Sequence, residues 1–198
     1  MAVAKTRTPE EVDAVIRAGI TLLGENRVQE AQEKIPQVTG SAEWHMIGHL
    51  QSNKAGAALE MFSTIQSVDT LKIGRRLDRL AGREGKTVPV LIEVNTSGEE
   101  SKYGFHPDAV VEAYDELRGM PALSVRGFMT IGVFTGNEAR VRACFESLRQ
   151  IRDDARALHG DDLPVLSMGM TNDFEWAVEE GSTLVRIGTA IFGERRTR

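Results

Sequence analysis

The stretch Leu184–Gly193, "LVRIGTAIFG", decides the fold. A short β-branched, apolar run ends in Arg186, and Gly188 and Thr189 then open a helical pattern. A helix start exposes backbone N–H groups that have no intrahelical acceptor, together with the positive end of a dipole, so such a turn suits an anion. The same strand-to-helix rhythm runs backwards through the whole chain. Short apolar runs without clear alternation occur at "AVAK", "ITLLGEN", "WHMIGHL" from Trp44, "FSTIQSV" from Phe62, "VPVLIEVN" from Val88, "SVRGFMTIGV" from Ser124, "LPVLSMG" from Leu163 and "STLVRIG" from Ser182. Runs of that kind are strands buried on both faces.

Helical patterns separate them. The first is announced by "TRTPEEVDAVIRAG", where Thr8 caps, Pro9 suits the first helical position, Glu11 completes a capping box and Gly19 ends the helix. Later helices carry Ile73, Leu77 and Leu80, then Val110, Tyr114 and Leu117, then Val141, Phe145, Leu148 and Ile151 on single faces. Eight strands alternating with helices imply a parallel sheet joined by right-handed crossovers, and eight units favour a closed (β/α)8 TIM barrel. An open, doubly wound sheet remains the alternative, because periodicity does not report closure.

At 198 residues and 41% apolar content, the expectation is one domain over residues 1–198, with no linker or low-complexity tract. A formal charge of −5 predicts no basic face large enough for a run of phosphates, hence no nucleic-acid partner. The end "GERRTR" reads as a solvated tail capping the last helix dipole. The single cysteine, Cys144, reads as an inert core thiol and excludes a disulfide framework. No apolar run is long enough for a membrane helix and no secretion signal begins the sequence, so the expectation is a soluble, cytoplasmic protein without a membrane partner.

In such a barrel the active face lies where strands end and helices begin. The residues at those junctions are Lys5, Asn26, His49, Asp69, Asn95, Met129, Ser167 with Met168, and Arg186 with Gly188 and Thr189. Loops after strands seven and eight of a barrel often hold phosphate, and "SMGMTND" and "RIGTAIFG" occupy those places; the alternative is that Gly169 and Gly188 are tight-turn residues and the threonines caps. Lys5 follows a buried run at the barrel mouth, where it either condenses with an aldehyde or snorkels at the rim. Lys54 and Lys102 fall in polar stretches. A phosphate-bearing aldehyde joins both clues, and pyridoxal phosphate is one. Asn26 is either a pocket residue or, with Gln29, a helix cap. His45 and His49 point the same way from strand three, either as hydrogen-bonded structural residues or, as the alternative, packed beside a ring, and no metal-ligand set emerges.

The segments "AVAKT", "GENRVQE", "WHMIGHLQSNK", "QSVD", "VLIEVNTSGEESKYGF", "RGFMTIG", "LSMGMTNDFEWAVEEGST" and "VRIGTAIFG" resemble, in order, the pyridoxal phosphate homeostasis proteins. The resemblance implies a barrel similar to the N-terminal domain of alanine racemase, with pyridoxal 5'-phosphate as cofactor. It assigns Lys5 to the Schiff base, Ser167, Gly188 and Thr189 to the phosphate, Arg186 to the pyridine nitrogen and Asn26 to the pocket. It also implies a helix before the first strand, whereas this sequence starts at that strand, so the expectation is either a start placed late or a barrel that lacks one covering element.

A permanently cationic arginine leaves the pyridine nitrogen unprotonated and weakens the ring as an electron sink. Alanine racemase adds a tyrosine from a second domain; the expectation here is no such domain, and Tyr103 and Tyr114 are not obvious substitutes. The resemblance therefore implies a monomeric carrier without robust catalytic turnover, releasing cofactor to apo pyridoxal-phosphate enzymes when an incoming amine displaces Lys5. A racemase or Schiff-base aldolase, and a plain interaction module, are the alternatives.

Overall fold

The computed structural model describes residues 1–194; most of the "GERRTR" tail lies outside the described residues. Seven parallel strands follow one another in sheet order: β1 (Ala2–Val3), β2 (Leu22–Glu25), β3 (Glu43–Met46), β4 (Thr64–Val68), β5 (Val88–Glu93), β6 (Leu123–Met129) and β7 (Val165–Ser167). Helices return the chain between them: α1 (Pro9–Arg17), α2 (Val28–Lys34), α3 (Ala55–Met61), α4 (Leu71–Arg83), α5 (Val110–Arg118), α6 (Glu138–His159) and α7 (Phe174–Glu179), with α8 (Thr189–Phe192) last.

The expected eighth strand is not a regular one. Leu184 bridges Ser167 of β7 and Ile187 bridges Ala2 of β1, both in parallel. Val3 N–H donates to Ile187 O at 2.8 Å, Ile187 N–H donates to Met1 O at 3.0 Å, and Met168 N–H donates to Leu184 O at 3.2 Å. The run 184–187 therefore leans on β7 at its start and on β1 at its end, which closes the ring without building a ladder on either side. Closure excludes the open, doubly wound sheet.

The apolar core is one cluster in which strand and helix side chains meet. Leu23, Met46, Ile65, Ile92 and Phe128 come from strands, and Val12, Ile73, Leu77, Leu117, Phe145 and Leu148 from helix faces. Cys144 is buried on α6 among them. Gly127 allows β7 to approach β6: its φ is +147°, and a Cβ there would lie 1.9 Å from Val165 O. The register slips by one residue at this point, between Val90 and Leu91 of β5.

The capping box at α1 forms as the sequence implies. Glu11 N–H donates to Thr8 Oγ1 at 3.3 Å, and Thr8 N–H donates to Glu11 Oε2 at 2.8 Å. Thr8→Ala removes the first bond, and its expected cost, about 1 kcal/mol, is read as a lowered urea midpoint with unchanged slope.

Candidate functional site

Lys5, Asn26, Arg186, Gly188 and Thr189 meet in one cavity of about 570 Å³. They arrive there from the C-terminal ends of β1, β2 and the closing run, the face on which barrels place their sites. Ile47, Ile131, Val133 and Trp176 add apolar surface, and Phe134 stands at the mouth, 88% exposed. A cavity of this volume falls in the usual range for small-molecule sites.

Asn26 does not cap α2. The helix starts behind Arg27, which makes no side-chain cap bond. The Asn26 side chain instead lines the cavity, with a buried Oδ1 that has no hydrogen-bond partner. A buried amide oxygen without a donor marks a place that a ligand would satisfy.

Ser167, which the resemblance assigns to the phosphate, lies against Arg186. It is fully buried and does not line the cavity; its Oγ accepts from Arg186 Nη1 at 2.6 Å and donates to Gln66 Oε1 at 2.7 Å. The reason is the strand's alternation: Ser167 points into the ring's interior, beneath Arg186. The second guanidinium nitrogen, Nη2, donates to Thr130 O at 2.7 Å. Arg186 is thus a fixed cation, 4% exposed, and burial pulls its pKa down to about 10, with Glu93 and Asp173 acting in the opposite direction.

The support beneath Arg186 continues across the barrel. Gln66 Nε2 donates to His45 Nδ1 at 2.8 Å, which leaves the His45 proton on Nε2, 2.9 Å from Glu43 Oε1. Burial lowers the His45 pKa, which suits a neutral ring accepting at Nδ1. Five side chains on three strands and the closing run thereby orient one another in a single donor sequence. His45 is the hydrogen-bonded structural histidine that the sequence suggested; Gln66 was not foreseen, because a glutamine inside "TIQSV" carries no mark of which face it takes.

A second unforeseen group fixes Lys5. Lys34 is buried; its Nζ donates to Ala4 O at 2.7 Å, to Glu25 Oε1 at 2.6 Å and to Glu30 Oε1 at 3.0 Å. Glu30 Oε1 also accepts from Thr6 N–H. The chain on both sides of Lys5 is therefore held by one ionic cluster. Thr6 itself takes φ +63°, a left-handed conformation unfavourable for a β-branched residue. Strain of that kind persists only where neighbouring contacts over-determine it.

Of the other junction residues, Asp69 holds His49, with Nδ1 to Oδ2 at 2.5 Å, and the His49 ring stacks on Tyr103 at 3.8 Å between centroids. Tyr114 is buried and bonded to Asp161. Neither tyrosine lines the cavity. Among the described residues, no group of three or more histidine, cysteine or carboxylate side chains could hold a metal ion, and no helix is long and apolar enough to cross a membrane.

Residues 1–196 match the family model described as the alanine racemase N-terminal domain. A pyridoxal phosphate homeostasis protein of Aquifex aeolicus is 40% identical over 194 residues, spanning 98% of this chain and 85% of the relative. The chain belongs to the pyridoxal phosphate homeostasis protein family. A mouse member of the family is 36% identical over 210 residues, covering 98% of this chain and 76% of its own. Among solved structures, PipY of Synechococcus elongatus with PLP bound superimposes with a TM-score of 0.90 at 33% identity, covering 98% of this chain and 91% of PipY. Alanine racemase of Clostridium difficile shares the barrel alone: TM-score 0.80 at 16% identity, with 99% of this chain and 51% of the enzyme covered.

Within this family frame the ring, the cavity and the presence of Lys5 and Arg186 in its lining are features of this chain's own geometry.

Proposed function

We propose that this protein binds pyridoxal 5'-phosphate in the barrel-mouth cavity and acts in cofactor homeostasis rather than as an enzyme. The observation that carries the reading is the convergence of an amine from the first strand and a buried guanidinium from the closing run on one cavity, with the unsatisfied Asn26 oxygen between them in chain order. The names of the relatives and the PLP-bound PipY structure support the ligand. When bound, the cofactor supplies an aldehyde for a lysine amine and a ring able to withdraw electrons.

The chain's own groups define the rest. Lys5 is the covalent attachment point, held in place by the Lys34 cluster. Gly188 and Thr189 offer backbone N–H groups and a hydroxyl to the phosphate. Ser167 acts one step removed, by fixing the Arg186 fork rather than by touching the phosphate. Arg186 would meet the ring nitrogen as a donor that does not give up its proton at neutral pH, which disfavours carbanion chemistry. Release to cytoplasmic apoenzymes by a displacing amine follows from that arrangement, with the protein acting as a monomeric, single-domain carrier.

The test is borohydride reduction of the cofactor-treated protein followed by intact mass and peptide mapping. One reduced cofactor on the Lys5 peptide, absent in Lys5→Ala, is the expected result. A label elsewhere, no label, or sustained racemisation by the pure protein would overturn the reading.

A further inference from the structure

The helix α4 carries an uneven load. Lys72, Arg75, Arg76 and Arg79 recur at helical spacing, on one face, and line a groove of about 600 Å³ with Ser52 and Asn53 as the remaining walls. A net charge of −5 thus conceals one concentrated basic face, contrary to the expectation from composition. Arg75 pairs with Glu116 at 2.5 Å, but among the described residues Lys72, Arg76 and Arg79 make no ion pair. The one carboxylate of α4, Asp78, is committed to Ala122 N–H at 2.8 Å on another side. Like charges three and four apart on a helix repel, so the face does not exist for the helix's own stability.

We propose that this groove binds a short chain of linked phosphates, of the di- or triphosphate class, at a site separate from the barrel-mouth cavity. The cations extend over about 10 Å of helix, a length that suits two or three phosphoryl groups. Guanidinium forks match phosphate oxygens in pairs, and Ser52 and Asn53 supply neutral hydrogen bonds alongside. No aromatic side chain lines the groove, so it offers no platform for a base. The chain's overall negative charge repels an extended polyanion beyond the patch, which favours a small ligand over a nucleic-acid backbone.

Inorganic triphosphate titrated calorimetrically into the pyridoxal-phosphate-saturated protein tests this, since saturation keeps the barrel mouth from competing. The expected result is one binding event that weakens at least tenfold in the double variant Arg76→Gln/Arg79→Gln, is unchanged in Arg83→Gln outside the groove, and loosens with added salt. Adenosine triphosphate should bind within a few-fold of inorganic triphosphate, because only the phosphates are held. No binding, or binding indifferent to the double variant, overturns the proposal; so does a short DNA duplex that binds more tightly than triphosphate through the same two arginines.

Discussion

Glu93→Gln is expected to remove a fall in stability of about 3 kcal/mol that the native protein undergoes as pH rises from the ordinary carboxyl range to above neutrality. Glu93 closes β5 inside the ring, 5% exposed, with an Oε2 that has no hydrogen-bond partner. Burial pushes its pKa from 4.5 up to about 7; the nearby Asp69 pushes the same way, and Arg186 only partly opposes them. The unfolded chain ionises this carboxyl near 4.5, whereas the folded chain holds the proton to about 7. Between those limits the folded state binds the extra proton, so its advantage is complete below the lower value and is lost through the upper one. A glutamine imitates the protonated form at every pH. Urea unfolding of both proteins at about pH 5 and pH 8 gives the comparison. Parallel curves for the two proteins would show that Glu93 does not carry the proton.

Lys34→Met should be the most damaging single change at the edge of the site, lowering stability by about 3–5 kcal/mol. Among the described residues the lysine is the only cation bonded to Glu25, which is fully buried and whose pKa burial already raises against the attraction of Lys34. Without it, Glu25 is left charged in an apolar setting or must take up a proton, and Ala4 O beside Lys5 keeps only the Arg7 N–H of its two donors. Adding Glu25→Leu to Lys34→Met should recover much of the loss, because the uncompensated carboxylate is then gone. A double variant no more stable than Lys34→Met would refute this account of the cluster. The cofactor-binding reading adds a second readout: borohydride labelling of Lys5 should slow in the single variant, as the strained Thr6 turn relaxes.

The order of elements was legible in the sequence because each unit carries its own local signals: Thr8, Pro9 and Glu11 at one helix start, Gly19 at its end, and apolar runs between. Lys5, Asn26 and Arg186 were legible for a related reason, since residues at strand ends in a barrel share one face whatever the ring's stagger. The bonding of Ser167 to Arg186 and Gln66, by contrast, depends on which side of a strand buried on both faces looks inward, and period-two alternation is blind to that. The same blindness hid Gln66 and Glu93. Lys34 escaped notice because it sits in the last turn of a helix, where a lysine ordinarily needs no explanation beyond the dipole. The irregular closing run was read as a full strand because its composition is that of one; only the competing demands of two neighbours break its ladder.

The seam between residues 1–3 and 184–187 sets a timetable for the molecule's birth. Contacts separated by nearly the whole chain are the last to repay their loop entropy, so the ring shuts late. A polypeptide emerging from the ribosome has its amine long before its guanidinium. Until the final stretch arrives, β1 and β7 are open edges, free to pair with a neighbouring nascent chain. Whatever the two groups grip together, only a finished molecule can hold it.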